Sequence, residues 1–310
     1  MSKFFTTAIL LALISFRLNA QDADSLLRSL DSAKTTGDIV SATFKSTRVV
    51  LSHSSETQKR YDLDMRIRHH FGDVGGSFGG SHTLYGLDVA TDLYIGFDYG
   101  LTNKTTLGIG RSKYDELFNF FVKQKAIEQA LGKSPVTVTL LAQAGIIARK
   151  ENFVNEFNDD STRTSYLFQA MIARKFSEHL SLQVSPAYLL RSLHVAPGDN
   201  QNMFSVGFAG RFKLSKRLSF VADYQLVNAF GRPETLFDNY FNPLGVGLEI
   251  ETGGHVFSLN FMNSEYIIEN NFLPDTQKSW NDGGVRFGFT ISRNFSLKKS
   301  NNPDIQSKIY

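Results

Sequence analysis

Cysteine is absent from the 310 residues. The chain therefore holds no disulfide, no thiolate metal site and no cysteine to carry a lipid anchor. Beyond residue 20 no run approaches the roughly 20 consecutive apolar residues that a membrane-crossing helix needs, so any span must be built of strands. An excess of one charge is lacking too. Lys plus Arg number 33 against 30 Asp plus Glu, a net of +3, which does not describe a nucleic-acid-binding surface. Proline is scarce at 7, whereas 27 Phe, 11 Tyr and 24 Gly suit aromatic-rich strands joined by glycine turns.

The two ends differ from the middle. Residues 1–20 open on Lys3, run apolar from Phe4 to Ile14 and close on Leu18, Asn19 and Ala20, the pattern of a secretory signal peptide. Loss of Lys3 and Arg17 with that peptide lowers the net charge from +3 by two, to +1. Within 21–60, Asp24 can cap a short periplasmic helix that places Leu26, Leu27, Leu30 and Ala33 on one face and ends at Gly37. Residues 43–52 alternate poorly. Residues 297–310, with Lys298 and Lys299, form a polar tail expected to be solvated in the periplasm.

Between these ends a two-residue period recurs. In the last run Val285, Phe287, Phe289 and Ile291 share one face, and Arg286, Gly288, Thr290 and Ser292 the other. Twelve such segments, over residues 61–296, have about the 9 to 11 residues that a tilted strand needs to cross a bilayer. They are 61–71, 92–101, 105–111, 117–125, 136–148, 164–175, 180–191, 204–214, 218–227, 244–251, 255–263 and 285–295. Segment 117–125 is ambiguous, since Phe118, Phe120, Phe121 and Val122 suit a helical patch equally well.

Link lengths give the topology. Short links fall at 102–104, 176–179, 215–217 and 252–254. Longer, polar ones fall at 72–91, 112–116, 149–163, 192–203, 228–243 and 264–283. Outer-membrane barrels keep short turns in the periplasm and long loops outside. Counting back from a final strand that ends in the periplasm, every short link lands on the periplasmic side. An even strand count then excludes residues 43–52 from spanning, and that segment either plugs the lumen or lies beneath the barrel. The expected fold is all-β: a transmembrane antiparallel up-and-down barrel of about 12 strands. Alternation by itself also allows a soluble sandwich or a lipocalin-like barrel.

A set of local pieces carries a family resemblance. They are Thr252-Gly253-Gly254 followed by His255-Val256-Phe257 and on to Asn263-Ser264, Ile67-Arg68-His69-His70-Phe71-Gly72, and Gly86-Leu87-Asp88. Gly108 to Ser112, Ala173 to Phe176, and Gly288-Phe289 to Arg293 complete it. From about Thr43 to Phe295 the chain resembles an uncharacterised Gram-negative outer-membrane β-barrel family, the domain of unknown function 5777. His70 stands where that family has Arg. The resemblance implies a barrel in the outer membrane and supplies no substrate, catalytic residue or cofactor. Phe295 near the C-terminus resembles the terminal Phe through which barrel-assembly machinery takes up a closing strand.

If the apolar faces meet lipid, the opposite faces line the lumen with Asp64, Arg66, Arg68, Asp98, Arg211, Asp223, Glu249, Glu251 and Arg286, joined by Gln183, Gln225 and Asn260. Charges placed there avoid lipid and pair or stay hydrated. A sharper reading sets Arg66, Arg68, Arg211 and Arg286 against Asp223, Glu249 and Glu251 as a constriction that passes small polar solutes. Gly96, Gly100, Gly108, Gly110, Gly207, Gly245, Gly247 and Gly288 point the same way and leave interior space, to be filled by water, by residues 43–52 or by the Gly72–Gly80 loop. A hydrolase is the rival class. Ser52, Ser54 and Ser55 flank His53, Ser81 precedes His82, and Glu249 and Glu251 lie across a hairpin from His255, but no spacing is diagnostic. The function expected is a passive channel or binding barrel for a small polar solute, with a plugged structural or assembly barrel and a membrane hydrolase as alternatives. Partners are outer-membrane lipid, the assembly machinery and that solute. No nucleic acid, metal or cofactor is expected.

Overall fold

The computed structural model describes residues 37–40, 42–157, 159–193, 197–230 and 232–298. The expected signal peptide, the lead-in helix and most of the polar tail lie outside the described residues.

Twelve strands form one closed sheet: β1 (Asp62–Asp73), β2 (Ala90–Gly100), β3 (Thr105–Ser112), β4 (Phe118–Ile127), β5 (Thr137–Ile146), β6 (Thr164–Lys175), β7 (Leu180–Arg191), β8 (Met203–Lys213), β9 (Leu218–Leu226), β10 (Leu244–Thr252), β11 (His255–Met262) and β12 (Arg286–Ser296). Every strand pairs antiparallel with its neighbours in sequence, and β1 pairs with β12 to close the ring. Leu63 stands opposite Phe295 and Ile67 opposite Ile291 across that seam. The segments read from alternation match these strands to within about two residues at either end.

The faces decide what surrounds the barrel. Phe97, Phe168 and Leu259 on the outside are 40%, 51% and 44% exposed, while Asp64 and Lys123 on the inside are 2% and 0% exposed. A soluble barrel turns its apolar face inward, so this arrangement excludes the lipocalin and sandwich alternatives. It is the distribution that lipid outside and polar groups inside require. The ambiguous segment resolves as β4. Phe118, Phe120 and Val122 face out, whereas Asn119, Phe121 and Lys123 face in.

The inward glycines do not leave a pore. A Cβ built on Gly96 or Gly110 would stand 2.3 or 2.1 Å from the Tyr94 Oη, and one on Gly108 would stand 2.0 Å from the Phe121 ring. The absent side chains thus make room for two aromatic rings that lie against the wall. In the β10–β11 turn, Gly253 and Gly254 take φ of 36° and 105°, backbone that favours glycine.

Two chain segments enter the ring, one from each end. From the short-turn end, Ile39 bridges to Ala130 in the β4–β5 turn, and the Val40 amide donates to the Gln129 carbonyl at 2.8 Å. The chain then passes inward, and Val50 to Ser55 are almost completely buried. From the other end, the β11–β12 loop bends in, with a single helical turn α1 (Glu269–Phe272) and with Ile267, Ile268 and Phe272 buried. Of the Gly72–Gly80 stretch, Gly72 and Asp73 end β1 and the remainder stays outside, with Phe78 68% exposed and Gly76 against Asp282 and Gly283.

Candidate functional site

Residues 43–58 are held by inward side chains of the strands, acting on plug backbone as much as on plug side chains. One carboxylate oxygen of Asp223, on β9, accepts the backbone N–H groups of Val50, Leu51 and Ser52 at 3.1, 2.9 and 3.1 Å and the Ser52 hydroxyl at 3.1 Å. Lys123, on β4, does the converse. Its ammonium donates to the carbonyls of Thr47, Ser54 and Glu56 at 2.9, 3.1 and 3.1 Å, which uses all three of its donors. Gln183 receives the Ser55 amide at 2.8 Å and donates to the His53 carbonyl at 2.9 Å. A segment with no regular structure thereby has its backbone groups satisfied in a dry interior, where an unpaired one would cost about 1 to 3 kcal/mol.

The arginines tie the two inserts together. Arg68 donates to the Val50 carbonyl at 2.7 Å and to the Ile267 carbonyl at 3.2 Å. Arg66 pairs with Asp64 at 2.6 Å and donates to the hydroxyls of Ser46 and Thr47 at 2.9 Å each, and Thr47 in turn donates to Asp98 at 3.0 Å. Arg48 of the plug approaches Glu269 of the loop at 3.7 Å. Gln143 on β5 donates to Asn270 of the loop at 2.7 Å. Apolar packing joins this lattice, because Val50 and Leu51 belong to the same buried cluster as Phe121, Met171 and Phe272.

The charged lumenal residues expected from the sequence thus fall into three places. Asp64, Arg66, Arg68, Asp98 and Asp223 surround the plug, as does Gln183. Arg211 and Glu249 pair with each other at 3.2 Å, while Glu251 takes Lys45 at 2.5 Å near the short-turn mouth. Arg286 sits at the long-loop end against Asp73 at 3.0 Å and Glu265 at 3.3 Å. Gln225 lies over Gly207, and Asn260 over Gly247 and beside the Ser258 hydroxyl. Arg286 is therefore separate from the other basic residues, and the carboxylate of Asp223 faces backbone amides. The groups proposed to oppose one another across a constriction do not form one ring.

Lys123, Arg48, Glu269 and Gln143 were not singled out from the sequence. For Lys123 the cause was Phe121, an inward aromatic that broke the apolar alternation of β4; its place over Gly108 becomes apparent only once β3 and β4 are paired. Glu269 lies in a loop that carries no period to read.

The hydrolase pairing is not formed. His255 faces outward opposite Thr252 and stacks on Phe257 at 5.9 Å between ring centroids, whereas Glu249 lies on the inward face and bonds Arg211. Ser52 donates to Asp223, Ser54 donates to the Ser46 carbonyl at 2.5 Å, and the Ser55 hydroxyl is buried without a partner, while the His53 ring meets Gln143, so none of the three hydroxyls is bonded to His53. Among the described residues there is no group of three or more His, Asp or Glu placed to hold a metal ion.

Two polar cavities flank the closed centre. Lys45, Glu56, Asp64, Arg66, Glu251 and Asn294 help line one of about 490 Å3 at the short-turn end. At the long-loop end, Tyr114, Arg149, Arg163, Asn270 and Asp275 help line another of about 210 Å3. There Arg149 holds Glu156 at 2.5 Å and Asp115 at 2.7 Å, and the guanidinium keeps the Glu156 carboxyl well below its usual range, at about 2.

Among solved structures, the NanC porin is similar at 10% identity, covering 76% of this chain and 100% of its own, with a TM-score of 0.46. An outer membrane channel from Pseudomonas putida F1 is similar at 10% identity, covering 78% and 98%, with a TM-score of 0.47. The Acinetobacter baumannii outer membrane protein Omp33 is similar at 11% identity, covering 76% and 98%, with a TM-score of 0.38. No curated protein matches the sequence. Closed barrels with an apolar outer band are the form that strands take across the bacterial outer membrane, and this is where the chain resides. Its family model, described as a membrane bound beta barrel domain (DUF5777), matches residues 44–295, and the chain belongs to that family.

Proposed function

We propose that this protein is a passive outer-membrane channel for small polar solutes whose resting form is closed by its own residues 43–58, with the β11–β12 loop as an outer seal. The observation that carries this reading is the way the plug is held. Asp223 and Lys123 grip it through seven hydrogen bonds, four to one carboxylate and three from one ammonium. Water can replace polar contacts of this kind one at a time, which suits a segment that leaves and returns. Polar cavities on both sides of the closure supply hydrated approaches, and the near balance of lumenal charge favours no one sign of solute. In the cell, β12 with Phe295 would be the strand recognised during barrel assembly.

The apolar tip of the plug, Val49 to Leu51 in the buried cluster, favours a second reading: a permanently closed structural barrel. Planar-bilayer recording separates the two. The channel reading expects rare openings of the full-length protein and frequent ones after deletion of residues 43–55. A deletion variant that folds yet remains electrically silent would leave only the structural reading.

A further inference from the structure

Outward-facing cations stand at both ends of the apolar band. At the short-turn end Arg174 lies over Phe176 and Arg293 over Phe295. Arg111 and Lys113 stand at the opposite end, where β3 meets the turn into β4. There they line the head of a groove of about 470 Å3 in the outer wall, whose sides are Leu93, Ile95 and Phe97 of β2, Ile109 of β3 and Phe118 of β4. Those five side chains are between 36% and 47% exposed. The groove is therefore open to the bilayer and apolar along its length, with positive charge at one end only. Its size falls in the range of ligand clefts, about 300 to 1,000 Å3.

The two cations keep binding capacity. Arg111 meets Glu116 at 3.1 Å, but both side chains are about half exposed, and such pairs contribute little. The Lys113 ammonium donates to the Ala90 carbonyl at 2.8 Å, which uses one of three donors. A guanidinium fork beside an ammonium matches the oxygens of a phosphate. A free phosphate would engage only the head of the groove, whereas a lipid whose chain follows the apolar walls engages all of it. Glu116 is the anion such a headgroup would displace.

We propose that this face binds one phosphorylated lipid of the outer leaflet, its acyl chain lying in the β2–β4 groove and its phosphate held by Arg111 and Lys113.

The test is native mass spectrometry of the full-length folded barrel in neutral detergent, titrated with dioleoyl phosphatidic acid or with diolein, which has the same chains and no phosphate. One phosphatidic acid should bind per barrel, about tenfold more tightly than diolein, and R111Q/K113Q should remove about that factor. R174Q/R293Q at the other rim should bind as the parent does. Ile109→Trp, which fills the groove and keeps both charges, should also weaken binding, and it provides the test if R111Q/K113Q does not fold. Equal affinity for diolein, or retention by both the double variant and Ile109→Trp, would show ordinary annular lipid and overturn the proposal. Displacement by millimolar inorganic phosphate together with unchanged binding in Ile109→Trp would show an anion site without a chain site, and would overturn it equally.

Discussion

The side-chain carboxylate of Asp223 and the backbone amide of Leu51 stand 2.9 Å apart although 172 positions separate them in the chain. The same oxygen also takes the amides on either side of Leu51. A single strand residue thus fixes the deepest point of the plug. Hydrogen bonds to a charged group contribute about 1.5 to 3 kcal/mol each before competition among them is counted.

Asp223→Asn keeps the size of the side chain and removes its charge. The variant should loosen residues 49–52 while the barrel stays folded, at a cost of about 2 kcal/mol to plug closure. Because the chain has no native cysteine, a single Ser52→Cys reporter can be labelled without background. A thiol reagent should reach it several-fold faster in the Asp223→Asn background. Equal labelling rates would show that Asp223 does not hold the plug.

Lys123→Met leaves the buried Ser54 carbonyl and the half-buried Glu56 carbonyl without a donor, while the Thr47 carbonyl keeps only the Ser54 amide at 3.1 Å. Unpaired buried acceptors cost about 1 to 3 kcal/mol each, so the loss should exceed that of Asp223→Asn. Bilayer recordings of Lys123→Met should show more frequent openings than the parent, and hydrogen exchange over residues 46–56 should accelerate. Unchanged exchange there would contradict the role given to Lys123.

Gly110→Ala places a methyl group where the Tyr94 hydroxyl now lies. Overpacking of this kind costs about 1 to 3 kcal/mol, read as a lower midpoint of heat-modifiable migration on gels. Replacing Tyr94 with Leu in the same chain should restore part of the loss. A double variant no better than Gly110→Ala alone would mean that the ring is not the obstacle.

At the long-loop end, Arg149 holds the Glu156 carboxyl at about 2. A carboxyl whose folded value is depressed adds stability above its unfolded value of about 4.3, and that stability is lost as pH falls through the folded value. The contact of the Arg149–Glu156 pair with the Asn152 amide should therefore persist at about pH 4 and be half lost near pH 2, while its contribution to stability declines between about pH 4 and pH 2. The carboxyl carbon shift of Glu156 should titrate near 2 in the parent and near 4 in Arg149→Gln. Coincident titrations would refute the pairing.

Alternation and link length made the barrel legible from the sequence. In β12, β8 and β1 as far as His70 each inward or outward position follows from a period of two, and the even count excluded residues 43–52 as a strand. What filled the interior was not legible to the same degree. The plug appeared only as a stretch that failed to alternate, and its anchors are backbone groups, which have no sequence signature. Inward glycines were read as vacancy, yet Tyr94 and Phe121 occupy the space, since a ring lying across two strands becomes visible only when their register is known. His255 failed as a candidate site for a related reason: nearness to Glu249 and Glu251 along a hairpin says nothing of which face each residue takes.

The bridge between Ile39 and Ala130, followed by the descent of the chain to Asp223, has a consequence for how the molecule is made. The segment emerges from synthesis before any strand, but its last acceptor belongs to the ninth, so it cannot seat while the sheet is short. Contacts this distant in sequence form late and slowly. Until β9 arrives, the amides of residues 50–52 must be kept solvated or chaperoned, and the segment can take its place through the short-turn mouth only once that strand is present.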